Sequence, residues 1–213
     1  MDFNRTEEEQ IQALKQWWVE NGKSLIGGVI IGLGAVFGWR GWQAHVIAQA
    51  EAASGIYTDM IVEVRQGKND KSREFADKLL NDYSSTTYAT FAAFVLAKQD
   101  VEANQLDSAV GHLQWILDNT DQDELKHLAR LRMARILLDD NKPEQALSLL
   151  NVIDPGQFKA SYEELKGDIF IQQGKIEDAQ IAYQQALANS HNPANDDSFL
   201  QMKLDDIGRQ HPQ

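Results

Sequence analysis

The sequence predicts an all-α chain: a single N-terminal transmembrane helix, then an α-solenoid of about four helix pairs with a C-terminal capping helix. Three observations predict it. Ser24 to Trp39 carries no charge over 16 residues and is bracketed by tryptophans. From residue 44 onward apolar residues recur at helical spacing without strand-like alternation. Three later segments, beginning at Asn104, Asn141 and Gly174, share one turn-and-helix pattern, the mark of stacked repeats.

Residues 1–22 read as a cytoplasmic amphipathic helical tail. Thr6-Glu7-Glu8-Glu9 has the form of a capping box, in which hydroxyl and carboxylate satisfy the first amides of a helix. Ile11, Leu14 and Trp18 then share one face, which suits a helix lying on a membrane surface. Asn21-Gly22 is expected to stop this helix before the span.

Residues 23–43 read as the transmembrane helix. Trp17 and Trp18 at one end and Trp39 and Trp42 at the other are placed as interfacial anchors, with Lys23 and Arg40 reaching outward. A helix from Trp18 to Trp39 covers about 32 Å, close to the hydrocarbon thickness of a bilayer. Gly28/Gly32 and Gly34/Gly38 form two G-x-x-x-G pairs, where bare backbone lets another helix approach. A dinucleotide-binding reading of these glycines fails on context, because no strand precedes them and a helical pattern leads to Glu51. Arg5, Lys15 and Lys23 precede the span and Arg40 alone follows it until Arg65, which keeps the N-terminus in the cytoplasm. Ala48-Gln49-Ala50 has the form of a signal cleavage site but lies beyond Arg40 and two tryptophans, so an uncleaved anchor is expected.

Residues 44–213 form the third part. Of the formal charge of −12, −11 falls here, and an acidic surface repels phosphate backbones, which argues against nucleic-acid binding. With no cysteine there is no disulfide, thiolate nucleophile or sulfur-bound zinc. His45, His112, His127, His191 and His211 show no metal-ligand spacing, and Asp121, Asp123 and Glu124 lack the glycine and terminal glutamate of a calcium loop. The sequence therefore predicts no catalytic, cofactor or metal site and no small-molecule substrate.

The repeats supply the architecture. Asn104, Asn141 and Gly174 tolerate a left-handed backbone, and each is followed five residues later by alanine, at Ala109, Ala146 and Ala179. Helix pairs are expected at 44–66/72–82, 86–103/106–118, 123–140/143–152 and 158–173/176–189, with a capping helix over 195–209 whose N-cap is Asn195 or Asp196. The last unit resembles a tetratricopeptide repeat through Gly167, Phe170, Gly174, Ala179, Tyr183, Ala186 and Pro193, although Lys166 stands where leucine is usual. Ala134 and Gly167 are 33 residues apart, against a family period near 34; Ala97 and Ala134 are 37 apart.

The order of parts, from "LKQWWVENGKSLIGGVIIGLGAVFGWRGWQAH" to "YEELKGDIFIQQGKIEDA", resembles the YfgM family of ancillary SecYEG translocon subunits. The resemblance implies a bacterial inner-membrane protein with a periplasmic repeat domain, associated with SecYEG and a PpiD-like periplasmic chaperone. It also implies help in passing newly translocated proteins to chaperones and a link to Rcs stress signalling. The rival reading is a homo-oligomeric membrane-anchored scaffold unrelated to translocation. For the partner groove, Phe91, Phe94, Leu128, Leu131 and Ile171 occupy first-helix positions that face either the groove or the core.

Overall fold

The structure, a computed structural model, describes residues 7–152, 154–190 and 196–210. Thr6, His191, Pro193, Asn195 and His211 lie outside the described residues. Among those described, nine α-helices and no strand occur: α1 (Glu7–Arg65), α2 (Asn69–Asp82), α3 (Thr87–Glu102), α4 (Leu106–Asn119), α5 (Asp123–Asp139), α6 (Pro143–Leu149), α7 (Lys159–Gln172), α8 (Ile176–Ala188) and α9 (Asp196–Gln210). The chain divides into two compact units, Met1–Glu51 and Ala52–Gln213.

In the first unit α1 runs through Asn21-Gly22 without a break, contrary to the expected stop. The reason is local. Asn21 turns its side-chain amide back onto the Trp17 carbonyl at 3.1 Å instead of ending the helix, and a helical glycine costs only about 1 kcal/mol against alanine. Gly22 is buried beneath the Trp18 ring, where an added Cβ would come within 3.3 Å of Cε2. Elsewhere the apolar side chains of this unit, from Ile11 through Trp42, are exposed.

The second unit stacks the end of α1 with α2, then α3/α4, α5/α6, α7/α8 and finally α9, so four pairs and a cap are present as expected. Its repeat is set by four identical turns. Gly67, Asn104, Asn141 and Gly174 have φ of 71°, 57°, 57° and 71°. In each, the amide of this residue bonds three residues back and the next amide five back, as in Gln105 N to Asp100 O at 2.7 Å and Lys175 N to Phe170 O at 2.9 Å. These are Schellman caps, which satisfy helix-end carbonyls while reversing the chain. Gly67 is the turn that the sequence reading missed.

Packing follows the same register. Five residues after each turn lies a small buried residue, Ser72, Ala109, Ala146 or Ala179. Seven before and nine after the turn lie complementary volumes: Met60 with Ala76, Ala97 with Leu113, Ala134 with Leu150, Gly167 with Tyr183. As the first member shrinks from methionine to glycine, the second grows from alanine to tyrosine, which keeps each interior filled. The limiting case is Gly167, where an added Cβ would lie 2.3 Å from the Tyr183 ring.

Helix α6 ends at Leu149, three residues before the expected limit. Pro155 disfavours helix at Asp154, whose carboxylate accepts a bond from the Gly156 amide at 2.9 Å, so turn chemistry replaces the last helical turn. Asp196 is the first helical residue of α9 and so not its N-cap, because the helix already includes it.

Candidate functional site

Two features of the chain remain unfilled by its own side chains. The first is in α1. At ~100° per residue, Gly34 and Gly38 share a face with Gly27 and Gly41, whereas Gly28 and Gly32 lie about 120° round the helix. A continuous α1 thus makes two glycine faces rather than one strip. An added Cβ at Gly28, Gly32, Gly34 or Gly38 would meet nothing within 4 Å. Trp17, Trp18, Trp39 and Trp42 are all exposed, and the last two rings pack at 5.2 Å between centroids. Among the described residues, α1 is the one helix long and apolar enough to cross a bilayer.

The second feature is a groove of about 540 Å³ in the repeat unit, between α3 and α5. The spacing of its walls explains it. Phe91, Phe94, Lys98 and Val101 recur at helical period along α3, and Leu125, Leu128, Arg132 and Arg135 do the same along α5. Tyr57 closes one end and packs its ring 6.0 Å from Phe91. Phe91 and Val101 remain 37% and 41% exposed and add apolar surface to this lining.

Three of the five sequence-selected residues, Phe91, Phe94 and Leu128, line this groove. Leu131 does not. It is 3% exposed in the main core, because one residue of helical rotation from Arg132 carries it toward Ala134 and Leu137. Ile171 is exposed on α7 but lies outside the groove lining. The sequence reading missed Tyr57 and the cations of the wall.

Those cations give the groove its electrostatic character. The Arg132 guanidinium sits 4.7 Å above the Phe94 ring, a cation–π contact. Partial desolvation of its guanidinium against this wall, and then the charge of Arg135, lower its pKa from the usual arginine value, though it stays a cation. Among the described residues neither Arg132 nor Arg135 has a carboxylate within ion-pair distance. Lys98 has only the exposed Glu102, at 3.6 Å.

Other polar groups of the repeat unit are paired inside it. Asp100, fully buried, accepts from Arg73, from Ser108 at 2.7 Å, and shares a 2.8 Å bond with His112, tying α2, α3 and α4 together. Burial pushes its carboxyl up, but the bonds from Arg73, Ser108 and His112 and the Arg73 charge outweigh this and hold it below the ordinary carboxylate range. His127 shares a 2.9 Å bond with the Tyr162 hydroxyl and stacks on Phe158; burial and then Arg130 lower its pKa. Tyr183 donates to Asp168 at 2.7 Å, and burial followed by that carboxylate raises its pKa.

A family model for a tetratricopeptide repeat-like domain matches residues 15–209. The chain is 32% identical over 207 residues to an ancillary SecYEG translocon subunit of Escherichia coli, covering 97% of this chain and 99% of that one. It is 33% identical over 186 residues to the protein of the same name in Haemophilus influenzae, with 87% and 91% covered. The Neisseria gonorrhoeae protein of that name is 30% identical over 203 residues, with 94% and 97% covered. Four Schellman turns in register, a single long apolar helix ahead of them, and matches running nearly end to end show that the chain belongs to the tetratricopeptide repeat-like family of ancillary SecYEG translocon subunits.

Proposed function

We propose that the protein is a non-enzymatic, membrane-anchored adaptor of the Sec translocon. In this reading residues 1–22 lie on the cytoplasmic side as an amphipathic tail, 23–43 cross the inner membrane, and 44–213 form the periplasmic repeat domain. The basic flank before the span and the tryptophans at both ends support this orientation. The continuity of α1 through Gly22 is compatible with it, because a helix can pass from interface to bilayer without a break.

The observation that carries the reading is the coexistence, in a chain related end to end to translocon subunits, of an apolar groove that its own side chains leave open. The groove would hold a protein partner, with a PpiD-like chaperone or an unfolded client as the first candidates, and the glycine faces of α1 would meet another membrane helix. Transfer of newly translocated chains to chaperones, and a connection to Rcs signalling, are the finer parts of the proposal.

The test is mild-detergent purification of the full-length protein from native membranes, with co-purifying chains identified by mass spectrometry. Beside it run a version with leucine at Gly28, Gly32, Gly34 and Gly38 and a Phe91→Ser, Phe94→Ser version. Translocon subunits and a periplasmic chaperone should accompany the unaltered protein, the former lost with the leucines and the latter with the serines. Recovery of identical chains alone would replace the adaptor by the homo-oligomeric scaffold.

A further inference from the structure

We propose that the groove between α3 and α5 is a receptor for an acidic, apolar segment of a protein partner, with Lys98, Arg132 and Arg135 selecting its carboxylates. This rests on the reading of the groove as a partner site and adds the chemistry of what fills it.

One position, six residues before the turn, changes the sign of its charge along the stack. In three successive repeats it holds Lys98, Arg135 and Asp168. Asp168 is covered by the chain itself: Lys203 of α9 reaches it at 2.6 Å and Glu164 at 2.9 Å, and lies over the rings of Phe199 at 4.9 Å and Tyr183 at 5.4 Å. The last repeat therefore shows what completes such a face: a helix bringing opposite charge together with apolar surface. In the two repeats before it the sign is inverted. The wall offers cations and rings, Arg132 over Phe94 among them; Lys98 meets only the exposed Glu102 of its own helix, and among the described residues no carboxylate reaches Arg132 or Arg135.

That exception stands out in an acidic domain. Beyond residue 43 the chain carries a net −11, yet α5 holds Lys126, Arg130, Arg132 and Arg135 against Asp123, Glu124 and Asp139. Of these, Arg132 and Arg135 face the groove. A polyphosphate would meet these two charges and then be repelled by the surrounding surface. A short peptide needs to satisfy only the local field. The α3 wall from Phe91 to Val101 is about 15 Å long, room for about four or five extended residues or three turns of helix.

The probe is a pair of fluorescent peptides with the same leucine and phenylalanine residues, one carrying glutamates and the other lysines between them. Binding to the full-length protein in mild detergent is read by fluorescence anisotropy. The glutamate peptide should bind at least ~10-fold more tightly than the lysine peptide and weaken as salt rises. Arg132→Glu with Arg135→Glu should invert the preference, and Phe91→Ser should weaken the glutamate peptide. Both arginines are exposed; if the reversed protein loses helicity, Arg132→Gln with Arg135→Gln should abolish the preference instead.

Equal affinity for the two peptides, both weakened by Phe91→Ser, would overturn the charge selection and leave the groove reading intact. Failure of both peptides to bind, or indifference of the glutamate peptide to Phe91→Ser, would remove the groove itself. Displacement of the glutamate peptide by a single-stranded oligonucleotide in preference to unlabelled peptide would make it a phosphate site and overturn the proposal. Displacement by self-association of the protein on dilution series would assign the groove to a second copy, with the same consequence.

Discussion

Gly167 in the repeat unit and Gly34 in α1 are the same residue on helices, yet their surroundings are opposite. Around Gly167 the Tyr183 ring occupies the space a Cβ would need, at 2.3 Å, whereas around Gly34 the space is open to 4 Å. The same contrast holds for charge: Asp100 is fully enclosed by Arg73, Ser108 and His112, while Arg132 and Arg135 have no carboxylate among the described residues. The comparison teaches how to separate groups that build this fold from groups that serve it. A small or charged residue whose complement lies in its own chain is architectural, and one whose complement is missing is a candidate for assembly.

Opening the enclosed charge has the largest expected effect. Asp100→Ala removes a buried acceptor from three donors on α2 and α4, and should destabilise the repeat unit by about 3 kcal/mol. Thermal unfolding of the full-length protein followed by circular dichroism measures it. The same residue sets an acid limit. Its folded-state pKa is depressed, so its stabilisation is complete above the ordinary carboxylate pKa of about 4 and is lost as pH falls below that toward the folded value. His127, also depressed, adds a separate loss as pH falls through about 6.5, because the unfolded imidazole gains its proton first. Stability should decline in two stages on acidification, and the lower stage should vanish in Asp100→Ala. An unchanged lower stage would show that Asp100 is not the linked group.

Filling the enclosed glycine comes next. Gly167→Ala should cost about 2 kcal/mol, since the Tyr183 ring is held by its bond to Asp168 and has no room to retreat. Adding Tyr183→Leu reproduces the Ala134 and Leu150 combination one repeat earlier and should recover part of the loss. Additive losses in the double variant would mean that the two volumes are not coupled.

That volume exchange also explains how much of the molecule was legible. Asn104, Asn141 and Gly174 were visible because a left-handed turn restricts residue type sharply, and alanine five residues on confirmed the frame. Gly67 lay 37 residues before Asn104 and was recoverable by the same rule, but serine at position 72 and methionine at 60 disguised the first repeat. Packing needs only a constant sum of volumes, so neither member of a pair is fixed alone. The groove was half legible for a similar reason. Phe91, Phe94 and Leu128 announce apolar surface, whereas Leu131 differs from Leu128 only by its helical phase, which the alternation of Leu128, Leu131 and Arg132 left uncertain by one residue. Arg132 and Arg135 read as ordinary surface charges, because a sequence does not show which charges lack a partner in the fold.

The open glycines should show the smallest effect on stability and the clearest effect on assembly. Because Gly28/Gly32 and Gly34/Gly38 lie on different faces of α1, leucine at one pair leaves the other bare. Neither double variant fills space within its own chain, so unfolding of the repeat unit should shift by less than ~0.5 kcal/mol in both. Co-purification should distinguish them: loss of a membrane partner with one pair alone marks the face that a second helix approaches, and the untouched pair then belongs to lipid or to a different helix. If the two variants behave alike and retain every membrane partner, the openness of these glycines has no bearing on assembly, and the contrast with Gly167 reduces to helix packing inside the repeats.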